Sequence, residues 1–348
     1  MTLPNWYPDH PPIYDIHKSY LENGAEGPFF HGSLFPREEP KEWIDFLGFP
    51  LRSAIGIPAG PLLNSKWIAL ASRLGFDVLT YKTIRSEAHP SHPVPNVAFV
   101  DGKGNRLERP GSLDDLTITN SFGMPSRSPD FLLEDIAKAN RSLIPGQVMI
   151  VSVVGSANRG RSFVQDFIAA AILAKEGGAK IIEANFSCPN VDKADGILYQ
   201  APETVHEYTR LIAKAIAPTP LILKCGLFEN AHQMKSVLLA AARGGARGIC
   251  GVNSISMQIS PPLDEKRKTS GVCGGHIREK AILFIQEAAQ IIRKNSLDLT
   301  LLGCGGIMRP EHFDLFFDAG AKIAMSATGM MWDPYLAMRY YERKTAHS

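Results

Sequence analysis

Eight short apolar runs, each closed by polar or turn residues and most followed by an amphipathic stretch, constrain the fold of this chain more than any other feature. They are Ser53 to Ile57, Asp77 to Lys82, Gln147 to Val154, Ile181 to Asn185, Leu221 to Lys224, Gly248 to Val252, Leu299 to Gly303 and Ile323 to Ala327. Helical periodicity covers Asn64 to Leu74, Ser162 to Glu176, Pro202 to Ala217, Ala231 to Ala242, Ile277 to Arg293 and Pro310 to Asp318. Strands alternating with helices predict a parallel sheet. Eight of them favour a closed (β/α)8 barrel of the TIM type over an open doubly wound sheet. The 348 residues, 45% of them hydrophobic, suffice for one such core. Residues 1–49, rich in Pro, His and aromatics, fall outside the rhythm and read as an N-terminal extension or lid on a barrel of residues 50–348. Thr83 to Gly146 is too long for a plain connection and reads as an insertion after strand two.

Composition narrows the partners. The 37 basic and 35 acidic residues are interspersed, so nothing predicts nucleic acid, and a small-molecule partner is expected. The five cysteines, at 188, 225, 250, 273 and 304, show neither CxxC spacing nor a disulfide framework. They read as reduced thiols in a cytoplasmic protein, with no metal site. No stretch has the roughly 20 apolar residues of a membrane span, and the N-terminus has no secretory pattern.

A barrel of this kind works at the C-terminal ends of its strands, which makes polar residues there informative. The ends carry Ala59-Gly60, Lys82-Thr83, Asn185, Lys224, Asn253-Ser254, Gly305-Gly306 and Thr328-Gly329. One buried lysine could be merely paired inside the core; two at strand ends point to function. Gly305, Gly306, Thr328 and Gly329 form a candidate phosphate cradle, since glycines let backbone N–H groups approach an anion.

Two further motifs complete the pattern: Asn185-Phe186-Ser187-Cys188-Pro189-Asn190 and Asn120-Ser121-Phe122-Gly123-Met124-Pro125. With the strand ends, they resemble the dihydroorotate dehydrogenase family, whose active-site loop reads Asn-Leu-Ser-Cys-Pro-Asn and whose substrate loop reads Asn-Ser-Met-Gly-Leu-Pro. The resemblance runs from about Gly48 to Asp333. It implies FMN held by Ala59, Gly60, Lys82, Thr83, Asn185, Lys224, Gly275, Gly305, Gly306, Thr328 and Gly329. It also implies a dihydropyrimidine substrate bound by Lys82, Asn120, Gly123, Met124, Asn185, Asn190, Asn253 and Ser254, with Cys188 as catalytic base. The expected reaction is oxidation of (S)-dihydroorotate to orotate in pyrimidine biosynthesis, hydride passing to FMN N5 and a proton to Cys188.

These residue types suit that chemistry. Oxidising a C–C bond beside a carbonyl needs a hydride acceptor and a base on the neighbouring carbon. A thiol of pKa about 8.5, lowered by nearby cations or dipoles, supplies a usable base near neutrality. Each asparagine amide offers one acceptor and two donors, matching the alternating N–H and C=O groups of the ring. A cysteine base resembles the family's soluble class 1-like members, which implies a homodimer reoxidised by an acceptor such as fumarate, or a chain working with an iron–sulfur partner subunit. Three other readings stay open here: a dihydropyrimidine dehydrogenase-like enzyme for dihydrouracil or dihydrothymine, a Schiff-base lyase using Lys224, and a flavin binder without turnover. Arg127 could bind a substrate carboxylate or be simply solvated, and the second reading is favoured because surface arginines are common. Pro261 to Cys273, with its run Asp264-Glu265-Lys266-Arg267-Lys268, reads as an exposed charged loop.

Overall fold

The computed structural model describes residues 11–37, 39–110, 112–156, 160–187 and 195–346, the side chains of 195–197 excepted. Eight parallel strands close into a barrel: β1 Ile55–Ile57, β2 Val78–Ile84, β3 Val148–Val153, β4 Ile181–Asn185, β5 Leu221–Lys224, β6 Gly248–Gly251, β7 Thr300–Cys304 and β8 Ile323–Met325. Each strand pairs with the next in the chain, and β8 returns to β1. The expected (β/α)8 barrel is therefore the observed one. Every residue of β2 and β3 is buried, which is why these runs look continuously apolar rather than alternating.

Helices α1 Ser65–Arg73, α2 Pro129–Arg141, α3 Phe163–Glu176, α4 Pro202–Ile216, α5 Ala231–Gly244, α6 Arg278–Lys294 and α7 Glu311–Asp318 fill the connections. Local chemistry sets their ends. The Asn64 side chain accepts from Lys66 N to cap α1, and Ser162 with Gln165 forms a reciprocal capping box on α3. The first strand begins at Ile55 rather than Ser53 because the Ser53 hydroxyl is turned aside, 2.6 Å from Asp77 Oδ2 and 2.8 Å from Tyr341 Oη.

Successive side chains of a strand face opposite ways. Ile182, Ala184 and Leu223 pack in the large cluster that includes the helices, whereas Ile181, Ile222, Leu302 and Ile323 form an inner cluster with Phe46 and Leu51. Those last two belong to a hairpin, Ile44–Phe46 against Phe49–Leu51, turned by Leu47 and Gly48 with φ of 54° and 89°. The hairpin plugs the N-terminal end of the barrel. Any cavity must open at the other end.

A second, antiparallel sheet of five strands stands over that end, in the order Ile255–Gln258, Thr269–Gly274, Thr117–Asn120, Val97–Val100, Arg106–Leu107. It joins the insertion after β2 to the segment after β6. This corrects the expectation of an exposed loop from Pro261 to Cys273. Thr269–Gly274 is an inner strand, and Arg267 is buried because its guanidinium donates to the carbonyls of Pro95 and Ser121 at 3.0 and 3.2 Å and pairs with Asp264 at 2.7 Å. Lys266 and Lys268 do remain exposed.

Candidate active site

Between the strand ends and the second sheet lies a cavity enclosing about 1150 Å³ out to its open mouth. Its wall takes Ala59 and Gly60 from after β1, Lys82 and Thr83 from the end of β2, Asn185 from β4 and Lys224 from β5. The β6, β7 and β8 ends add Asn253, Ser254, Gly305, Gly306 and Thr328, while Asn120 and Met124 reach it from the insertion. Gly123, Gly275 and Gly329 do not line it, which departs from expectation. The backbone is packed tightly at each: an added Cβ would lie 1.7 Å from Asp114 O at Gly275, 2.3 Å from Ile307 O at Gly329 and 2.6 Å from the His92 ring at Gly123. Cys188 and Asn190 lie outside the described residues.

Lys224 and Asn185 are neighbours in register on β5 and β4. The lysine is buried, its Nζ 3.9 Å from Oε2 of a fully buried Glu183. Neither Glu183 oxygen has a hydrogen-bond partner among the described residues. Burial opposes the lysine's charge, but the acidic groups crowding it, Cys250, Cys304 and Glu183, prevail and hold its pKa well above the ordinary value. An amine held cationic at the cavity wall stabilises negative charge on a ligand.

Two asparagines meet across the β4 and β6 ends. Asn253 donates to the Asn185 carbonyl oxygen at 3.3 Å and to the Ser187 carbonyl, and its own oxygen accepts from Ser254 N at 2.9 Å. The Asn185 oxygen also accepts from Ser187 N at 3.2 Å. With that oxygen engaged, the Asn185 NH2 is left for an acceptor in the cavity. Opposite, Asn120 donates to Cys273 Sγ at 3.4 Å, and Thr328 donates to the same sulfur at 3.5 Å. Cys273 thus ties the insertion to the loop after β8.

The loop after Asn120 turns through two left-handed residues, Gly123 at φ 72° and Met124 at φ 56°. A methionine there is strained, and buried Arg85 holds it. The guanidinium donates to Met124 O at 2.9 Å, Gly123 O at 3.4 Å and Ser156 Oγ at 2.6 Å. Arg127 is exposed with its guanidinium 4.4 Å from the Phe131 ring centroid, as a solvated side chain should be.

At the far end, His312 fixes the loop after β7. Its Nδ1 accepts from Met308 N at 3.1 Å and Arg309 N at 3.2 Å, and its Nε2 lies 3.5 Å from Asp114 Oδ1. Burial, then the Arg278 charge, push its pKa down to about 4, so the ring is neutral near neutrality.

Several residues of this site carry no motif. Glu183 was legible from strand period alone, since Ile181, Glu183 and Asn185 share one face. Arg85 and Cys273 have no such signal, and neither do Tyr14 and Tyr20, which line the cavity from the N-terminal segment. No described helix is long and apolar enough to cross a membrane, and no group of three or more His, Cys, Asp or Glu among the described residues could hold a metal.

Comparison with known proteins agrees with this geometry. A sequence profile of the family described as "Dihydroorotate dehydrogenase" matches residues 44–343. The chain is 44% identical to "Dihydroorotate dehydrogenase" of Dictyostelium discoideum over 96% of its own length and 98% of that protein. Identity falls to 27% with "Dihydroorotate dehydrogenase B (NAD(+)), catalytic subunit" of Anoxybacillus flavithermus, over 73% of this chain and 74% of the other. With "NAD-dependent dihydropyrimidine dehydrogenase subunit PreA" of Escherichia coli it is 31%, but over 54% of this chain and 46% of that protein.

Proposed function

The chain belongs to the dihydroorotate dehydrogenase family, and on that premise we propose how its barrel mouth oxidises dihydroorotate to orotate. It is a flavin-dependent oxidoreductase of that family; FMN is the flavin we assign. The observation that carries the assignment is the convergence of Lys82, Asn120, Asn185, Asn253 and Lys224 on one cavity at the C-terminal strand ends. The near full-length relative favours dihydroorotate over other dihydropyrimidines, since the relative named as a dihydropyrimidine dehydrogenase subunit matches only 54% of the chain.

The residues present suit a flavin. Gly60 lies on the cavity wall at φ 151°, and a Cβ built there would meet no protein atom within 4 Å. A side chain would project into the cavity, where a bare backbone lets a flat ring approach. When bound, FMN supplies the hydride acceptor. Ala59, Gly60, Thr83 and Asn185 would hold its ring, with Lys224 countering charge on it, and Gly305, Gly306 and Thr328 would hold its phosphate end.

The protein's own part is to bind, orient and deprotonate. Lys82 draws in the substrate carboxylate, while the amides of Asn120, Asn185, Asn190 and Asn253 pair with the ring's N–H and carbonyl groups, assisted by Ser254. Cys188, as thiolate, takes the proton from the carbon beside the one that loses hydride. Gly123 acts through the backbone of the substrate loop, while Met124 reaches the cavity wall from it.

We assign reoxidation at the same cavity by a small acceptor such as fumarate, in a cytoplasmic homodimer whose N-terminal extension forms a lid only through the segment carrying Tyr14 and Tyr20, its Ile44–Phe46 strand lying at the opposite end of the barrel. The lower identity to the NAD(+)-linked catalytic subunit, 27% against 44% for the Dictyostelium protein, favours an acceptor other than NAD(+). Orotate formation with fumarate, NAD+ and a quinone offered separately tests it: turnover with fumarate is expected, and turnover with a quinone alone overturns it. In the same assay Cys188→Ser slows flavin reduction strongly and moves its pH optimum upward, whereas an unchanged rate removes Cys188 from the mechanism.

A further inference from the structure

Tyr14 and Tyr20 line the cavity from the N-terminal segment, which precedes the residues matched by the family profile. Tyr14 is 3% exposed, and its hydroxyl has no hydrogen-bond partner among the described residues. Most buried hydroxyls are satisfied, and one that is not is a standing destabilisation. The ring itself is well placed, edge-on to Phe122 of the substrate loop at 6.2 Å and tilted against Trp67 at 5.8 Å.

The segment carrying it is built rather than draped. Asn23, fully buried, accepts from Asp15 N and donates to the carbonyls of Asp15, Lys18 and Ser19, closing the chain beside Tyr14 into a loop. Ser19 and Glu22 form a capping box on the helix Tyr20–Glu26. The end of that helix is tied to α1, where Asn64 donates to Gly24 O at 2.8 Å and Lys66 to Ala25 O at 2.6 Å. Tyr14 is thus positioned before any ligand arrives, and little ordering cost falls on binding.

We propose that the N-terminal segment completes the substrate site, the Tyr14 hydroxyl donating a hydrogen bond to a carbonyl or carboxylate oxygen of the bound pyrimidine. Burial, with Tyr20 and Asp15 nearby, pushes the phenol well above its usual pKa, so it remains a donor across the working range. The role is affinity and substrate choice; the chemical step stays with the barrel.

The proposal rests on the dihydroorotate reading, and the test separates the two. In the full-length, flavin-loaded protein, orotate affinity is read from perturbation of the flavin spectrum, alongside KM, kcat, flavin retention and ligand-free Tm for wild type and Tyr14→Phe. The variant keeps the ring and removes only the hydroxyl. Expected are an orotate Kd and a dihydroorotate KM raised about tenfold, the equivalent of about 1.4 kcal/mol, with kcat and flavin content held and ligand-free Tm unchanged or higher. Unchanged Kd and KM overturn the proposal, as does a loss that tracks flavin release or a lowered Tm. A wild type that binds no orotate sinks the dihydroorotate reading itself.

Discussion

Lys224 Nζ lies 3.9 Å from Glu183 Oε2 inside the barrel, with both side chains closed off from solvent and the carboxylate lacking a hydrogen-bond partner among the described residues. Such a pair is strongly destabilising when one member alone is removed. Lys224→Met should therefore lower the free energy of unfolding by about 3–5 kcal/mol, and adding Glu183→Gln should restore most of it. The flavin midpoint potential should be lowered in both variants, because the cation that favours the reduced ring is gone from each. Urea titrations and spectroelectrochemistry check this. A Lys224→Met protein as stable as wild type would show that the two residues do not act as a pair.

Arg85 converts a strained turn into a fixed one by gathering the carbonyls of Gly123 and Met124. Replacing it with Gln leaves those groups without their charged donor and lets Met124 leave its φ of 56°. Because this loop begins at Asn120, we expect the KM for dihydroorotate to rise by about tenfold or more, following loss of a charge-assisted bond. Flavin content should be unaffected. A KM at the wild-type value would mean the turn holds its shape without Arg85.

His312 makes stability depend on pH. Its folded-state pKa of about 4 lies below the ordinary 6.5, so in that window the unfolded chain binds a proton that the folded chain refuses. Stability is then intact above about pH 6.5 and declines as pH falls towards about 4. Asp114, Arg278, Arg309 and Glu311 face the ring and contribute to the shift. Urea unfolding across this range should show the slope in wild type and a flatter profile in His312→Gln. Equal slopes would assign the pH dependence to other groups.

How much of this was legible in the sequence depends on the range of the interactions involved. The barrel was visible because each strand is buried on both faces and each repeat is local, so Ile181 to Asn185 or Leu221 to Lys224 could be read one at a time. Lys82, Asn185, Lys224 and Asn253 followed, since a strand end in a barrel has one place to be. The five-stranded sheet was not visible: Thr117–Asn120 pairs with Thr269–Gly274 across some 150 residues, and no local pattern announces that partner. Arg267 was misjudged for the same reason, its carbonyl partners Pro95 and Ser121 lying far away in the chain. Tyr14 and Tyr20 sit in a segment without periodicity, where only the folded path brings them to the cavity.

The central claim is that this cavity oxidises dihydroorotate on a bound flavin. Anaerobic mixing of the flavin-loaded protein with dihydroorotate, dihydrouracil and dihydrothymine in turn, followed in the visible flavin band, tests it most directly. Bleaching by dihydroorotate alone is the predicted result. A flavin left oxidised by dihydroorotate would contradict the account.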